Sequence, residues 1–127
     1  MLAFGNYALF VLHSLLIVFN MTGWAWRRTR WLHLITVGVT LFSWFVLGAF
    51  YGWGYCVCTD WHFQIRTALG YIDPEVNYLQ LLSAKMLGLS ISSTFADRIA
   101  LLALVYILVA TAIAWLPRKP KTLNPAE

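Results

Sequence analysis

Seven consecutive residues, Cys56-Val57-Cys58-Thr59-Asp60-Trp61-His62, gather two thiols, a carboxylate and an imidazole in one short stretch. Cys56 and Cys58 are the only cysteines of the chain. A bridge across a single intervening residue closes only where the chain turns, and it is then strained and readily reduced, which is redox chemistry. Cys56, Cys58 and His62 also form a donor set for a thiophilic ion such as copper or zinc, although their spacing is not that of an established zinc finger. Free or locally bridged thiols with a structural role are the plainer reading. No cofactor is expected apart from a metal at this segment.

A second pattern lies near the N-terminus, where Asn6, His13 and Asn20 recur every seven residues. That interval puts all three on one face of a helix. In an otherwise apolar run such a face turns away from lipid. It predicts hydrogen bonds to Ser43 or Thr40 of the next apolar segment, or else a contact face for a second protein or a polar pathway through an oligomer. His13 and His33 do not pair as axial ligands of one haem, since their depths in adjacent spans differ by more than about 10 Å at about 1.5 Å per residue. No phosphate loop, nucleophile triad, paired acids or buried carboxylate stands out, which leans against an enzyme.

These side chains must be positioned by lipid-facing helices. The 127 residues are 61% hydrophobic and only 11% charged, far below the roughly 25% charge of soluble domains. An all-α polytopic membrane bundle follows, as a single domain over 1–127. Uncharged or nearly uncharged runs at about 3–26, 31–54 and 95–116 each suffice for a span of about 20 residues. The net charge of +4 sits in short groups beside the apolar runs, as topology signals rather than a nucleic-acid surface. With three spans, Arg27, Arg28, Arg30, Arg118, Lys119 and Lys121 share one side, six of the nine basic residues. Positive residues stay in the cytoplasm, so the chain runs N-terminus out and C-terminus in, with a basic cytoplasmic tail at 117–127. A fourth span over 76–96 would bury Lys85 at about 2.5 to 3.5 kcal/mol and export the tail.

The segment at about 59–90 then lies on the outer interface as one or two amphipathic helices. Trp61, Ile65, Ala68 and Leu69 give the first an apolar face, behind Thr59 or Asp60 as cap. Asp73-Pro74-Glu75 is a start signal for the second, with Val76, Leu79, Leu82 and Met86 on its apolar face. Thr94 to Asp97 reads as a capping box for the last span. Gly48 and Gly52 satisfy GxxxG, a small-residue pattern for close helix approach and self-association. Trp24, Trp26, Trp31, Trp53, Trp61 and Trp115 fall at membrane interfaces, as an aromatic belt requires.

The order of these features resembles a family of small bacterial inner-membrane proteins catalogued only as a domain of unknown function. The resemblance covers roughly residues 7–116 and rests on Trp31-Leu32-His33, on Gly54 with Cys56 through Thr59, and on Gly70-Tyr71. Where many members carry Cys-Pro-Leu-Thr, this chain has Cys58-Thr59 directly after Cys56-Val57. The resemblance implies a multi-pass bacterial inner-membrane location and no activity. From the residues, the first expectation is a non-enzymatic accessory or assembly subunit that binds a membrane protein partner or itself through the Asn6/His13/Asn20 face and the outer amphipathic helices. Thiol redox or metal handling at Cys56, Cys58 and His62, and a small oligomeric channel or carrier, are the alternatives.

Overall fold

The computed structural model describes residues 1–117, and those residues form helices with no strand. Arg118, Lys119 and Lys121 of the expected basic tail lie outside the described residues. Three helical stretches are long and apolar enough to cross a membrane: Leu2–Ala25, Arg30–Tyr51 and Ser93–Trp115. The first is α1 (Leu2–Thr22) extended by a 3-10 turn, Gly23–Ala25. The second is α2 (Arg30–Leu41), a π-helical stretch Phe42–Leu47, and α3 (Gly48–Tyr51). Two shorter helices, α4 (Val57–Ala68) and α5 (Tyr78–Leu87), precede the third span, α6 (Ser93–Trp115). At about 1.5 Å per residue, the ten residues of α5 reach about 15 Å, half of a hydrocarbon core. By length, α5 does not add a fourth crossing to the three found among the described residues.

The bundle is polar inside and apolar outside, the reverse of a soluble amphipathic arrangement. The only buried residues of α1 are Asn6, His13 and Asn20, while Phe4, Tyr7, Val11, Leu12, Leu15 and Val18 face outward. Hydrocarbon accepts the apolar side chains without penalty but offers no hydrogen bond to the polar ones, so the polar stripe turns inward. Trp26, Trp31, Trp53, Trp61 and Trp115 are at least half exposed, in keeping with interface anchors.

The turn between the first two spans is held by side chains that cap the end of α1, where backbone carbonyls run out of helical donors. His33 Nε2–H donates to the Asn20 carbonyl at 2.9 Å, the Trp24 indole to Met21, the Thr29 hydroxyl to Gly23 and Arg30 Nε to Trp24. Gly23 lets the two helices meet: a Cβ there would come within 3.0 Å of both the His33 and Phe19 rings. Asn20 completes the joint, accepting from Thr36 Oγ1 at 2.7 Å and donating to Thr40 Oγ1 at 3.0 Å.

After the second span the chain turns back against the first. After Tyr51 the chain doubles back, with Gly52 and Gly54 at φ 114° and 81°, a region closed to most side chains. Trp53 and Gly54 settle against Gly48, where a Cβ would meet their backbone at 3.5 and 3.6 Å. At Gly48 the GxxxG face meets the chain's own loop, while nothing lies within 4 Å of a Cβ built at Gly52. Ser43 Oγ donates to the Tyr55 carbonyl at 2.9 Å, eight helical residues and about 12 Å back from Tyr51. From there α4 climbs along the N-terminal half of α1 until Ile65 reaches Gly5.

The apolar face expected for α4 is also not the face it buries. His62 and Arg66 are buried, while Trp61 and Ala68 are exposed. The inward groups of α1 are polar, and only polar partners satisfy them. The two helix-start signals move for a similar reason. Helix α5 begins four residues after Pro74, with Asn77 Oδ1 accepting the Gln80 N–H at 3.0 Å, because the Asp73 carboxylate is engaged by Arg66. In α6 the capping side chain is Ser92, which accepts the Phe95 N–H at 3.2 Å, and Asp97 instead accepts from Asn77 at 3.2 Å.

Candidate functional site

The polar stripe of α1 meets three different environments. Asn20 is absorbed by the joint between the first two spans. Asn6 Oδ1 accepts from His62 Nε2 at 2.9 Å, with His62 completely buried. His13 Nε2 faces Cys56 Sγ at 3.7 Å, and its ring stacks on Tyr78 with centroids 3.9 Å apart. Both Nε2 contacts leave the Nδ1 atoms of His13 and His62 buried with no partner. A buried polar atom left unpaired costs about 1 to 3 kcal/mol, and His33 Nδ1 in the joint between the first two spans is in the same state.

Tyr78 joins the two imidazoles. It is buried at the start of α5, its hydroxyl donates to the Phe10 carbonyl at 2.7 Å, and Ser14 Oγ lies 2.9 Å from the same oxygen. The His62 ring stands 6.0 Å from the Tyr78 ring and 6.2 Å from Phe10. Sequence reasoning missed Tyr78, because a tyrosine beside a helix start carries no signal of its partners 64 and 68 residues away.

At the far end of α4, Arg66 and Asp73 form a fork of two bonds, 2.6 and 2.5 Å, with the Tyr71 ring 4.5 Å beneath the guanidinium. The hydrogen bonds from Arg66 hold the Asp73 carboxyl below the usual carboxylate range. Gly70 at φ 85° makes the turn that brings the pair together. This clamp fixes the loop after α4 and with it the angle at which His62 enters the bundle. The sequence signal was present, opposite charges seven apart around a glycine, but helix-start grammar claimed Asp73 first.

Cys56 and Cys58 are both free and half-buried. Cys56 is the residue before α4, in extended conformation, and Cys58 lies in the first turn. Burial, and then the neighbouring Cys56, raise the Cys58 thiol above its ordinary value. The expected donor set Cys56, Cys58 and His62 is distributed otherwise: His62 turns to Asn6, and the imidazole beside Cys56 is His13. Among the described residues no three His, Cys, Asp or Glu side chains converge as a group able to hold a metal ion.

The glycine reversal precedes Cys56 and α4 follows it, and Ser43 of the π stretch bonds the Tyr55 carbonyl beside it. Such features cluster at functional sites because the surrounding structure must hold them in place. Three apolar spans around an inward polar stripe, with a loop that carries two thiols back against the first span, make this a polytopic membrane helical bundle. The chain belongs to the family described as "Protein of Unknown function (DUF2784)", whose match covers residues 3–116. No curated protein and no solved structure matches it.

Proposed function

We propose that the chain is a membrane-embedded thiol–disulfide exchange protein in which Cys56 attacks, Cys58 resolves and His13 receives the Cys56 proton. One observation carries this reading: Cys56 Sγ lies 3.7 Å from a buried imidazole nitrogen, at the end of a loop that the fold bends back to bring it there. The thiolate is the reactive form, and an adjacent base supplies it.

Cys56 gives its proton to His13 Nε2, and its sulfur attacks a substrate disulfide. One S–S bond forms, the substrate S–S bond breaks, and the departing thiolate takes a proton. Cys58, deprotonated in turn, attacks the Cys56 sulfur of the mixed disulfide, forms the Cys56–Cys58 bridge and releases the second substrate thiol. The net change is one disulfide reduced to two thiols and one dithiol oxidised. A bridge across one residue is strained, so the oxidised protein readily passes it to another dithiol. With the N-terminus outward, as the basic residues favour, the thiols open toward the oxidising side.

An assembly role was expected to dock through Asn6, His13 and Asn20. The chain turns these side chains onto its own elements, and the thiol beside His13 is what favours exchange over assembly. The test is alkylation with mass spectrometry on purified protein exposed to oxidised glutathione. Cys58→Ser should trap glutathione on Cys56, and Cys56→Ser should trap at least tenfold less. His13→Gln should slow trapping on Cys56 by about a hundredfold. No mixed disulfide in Cys58→Ser, with the thiol free, would overturn the proposal.

A further inference from the structure

A base must have its ring turned to the proton as well as placed near it. The torsion that turns a histidine ring about its Cβ–Cγ bond is broad, so the backbone alone does not aim the nitrogens. In base-assisted nucleophile sites a third group bonded to the second ring nitrogen removes that freedom. His13 has Nε2 at 3.7 Å from Cys56 Sγ, but its Nδ1 is buried with no bonded partner. The aim of the ring then depends on what lies against its face. We infer that Tyr78 is the positioning residue of this site, holding the His13 imidazole with Nε2 toward Cys56; this inference rests on the thiol-exchange reading.

The Tyr78 ring lies over the His13 ring with centroids 3.9 Å apart and planes 28° from parallel. At that separation the imidazole cannot swing far about its own bond without driving into the phenol. The stack is useful only if Tyr78 is itself fixed, and it is fixed at both ends. Its hydroxyl has one hydrogen, which goes to the Phe10 carbonyl at 2.7 Å, so Ser14 Oγ–H is the donor in the 2.9 Å bond to the same oxygen. Phe10 and Ser14 are one helical turn apart on α1, on either side of His13 in the chain, so the phenol is tied to the turn that carries the base. At its backbone Tyr78 opens α5, where Asn77 accepts the Gln80 N–H at 3.0 Å and donates to Asp97 of α6 at 3.2 Å. The rings of Phe10 and His62 stand beside the phenol, each with its centroid 6.0 Å away. Tyr78 therefore does for His13 through a ring face what a hydrogen-bonded third group does elsewhere through Nδ1.

The experiment follows Cys56 in Cys58→Ser protein in detergent, with the chromogenic disulfide dithionitrobenzoate as probe and circular dichroism as the check on folding. Tyr78→Leu removes the flat ring and should lower the Cys56 rate at neutral pH about tenfold, less than the loss expected for His13→Gln. Tyr78→Phe keeps the stacked ring and should stay within about threefold of the parent rate. With His13→Gln already present, Tyr78→Leu should change the rate by less than about twofold, because a residue that acts through the base then has nothing to position.

A merely structural role slows Cys56 equally with and without His13, and equal effects in folded proteins overturn the inference while sparing the reading of Cys56. A loss in Tyr78→Phe as large as that in Tyr78→Leu overturns it as well, since the ring is kept. Failure of Cys56 to exchange in the Cys58→Ser parent defeats the function proposed above instead. If Tyr78→Leu does not fold, proton NMR of the unaltered protein gives an independent reading: the Tyr78 ring current should move the His13 ring protons upfield, and ordinary positions refute the assignment.

Discussion

Asn6 and Asn20 invite a comparison in which the count of hydrogen bonds and the fate of the partners predict opposite orders. Asn20→Leu removes two side-chain bonds, to Thr36 and Thr40. Both hydroxyls keep an acceptor within their own helix: Thr36 Oγ1 lies 2.9 Å from the His33 carbonyl, and Thr40 Oγ1 donates to Thr36 at 2.9 Å. At about 0.6 kcal/mol per interhelical bond in a membrane protein, the loss is about 1 kcal/mol. Asn6→Leu removes a single bond, yet it strands the His62 Nε2–H in a site of zero exposure, since Nδ1 is already without a partner. The bond and the orphaned donor together cost about 2 to 3 kcal/mol. The apolar gain from leucine is similar at both positions and cancels in the comparison. Reversible unfolding in mixed micelles, followed by circular dichroism, measures both variants against the parent. Asn6→Leu should be at least twice as destabilising as Asn20→Leu. A larger loss for Asn20→Leu would refute the reasoning that orphaning outweighs bond count here.

The Arg66–Asp73 clamp sets an acid limit. Asp73 is held below its ordinary range, so its stabilisation is complete above about pH 4 and is lost as pH falls through the depressed value. Thermal scans should show a midpoint falling below about pH 4 that is attenuated in Asp73→Asn. Two glycines give opposite signs: Gly54→Ala, at φ 81°, should cost about 1 kcal/mol or more and slow Cys56 exchange, whereas Gly38→Ala, helical with open space around it, should be neutral or stabilising by about 0.5 kcal/mol in the same unfolding assay. Orientation is read by impermeant thiol labelling of single cysteines placed at Leu2 and Arg28; only the Leu2 position should label from outside intact cells.

What the sequence determined by itself is the solvent and the number of crossings. Hydrocarbon imposes a length and an apolar composition on each span, and both are local properties that a linear reading recovers, as it recovered the arginine turn after the first span. It also identified Asn6, His13 and Asn20 as inward-facing, because a seven-residue interval fixes a common face wherever a helix forms. The partners of those side chains were decided only by tertiary structure. Nothing local tells that the chain reverses at Gly52 and Gly54 and packs α4 against α1, yet that reversal pairs Cys56 with His13 instead of His62, and His62 with Asn6. The same holds for Asp73, which helix grammar made a cap and which Arg66 made half of an ion pair. A hydrogen bond between residues 43 or 56 positions apart depends on the path of the loop between them, and that path is set by packing and polar satisfaction across the whole bundle.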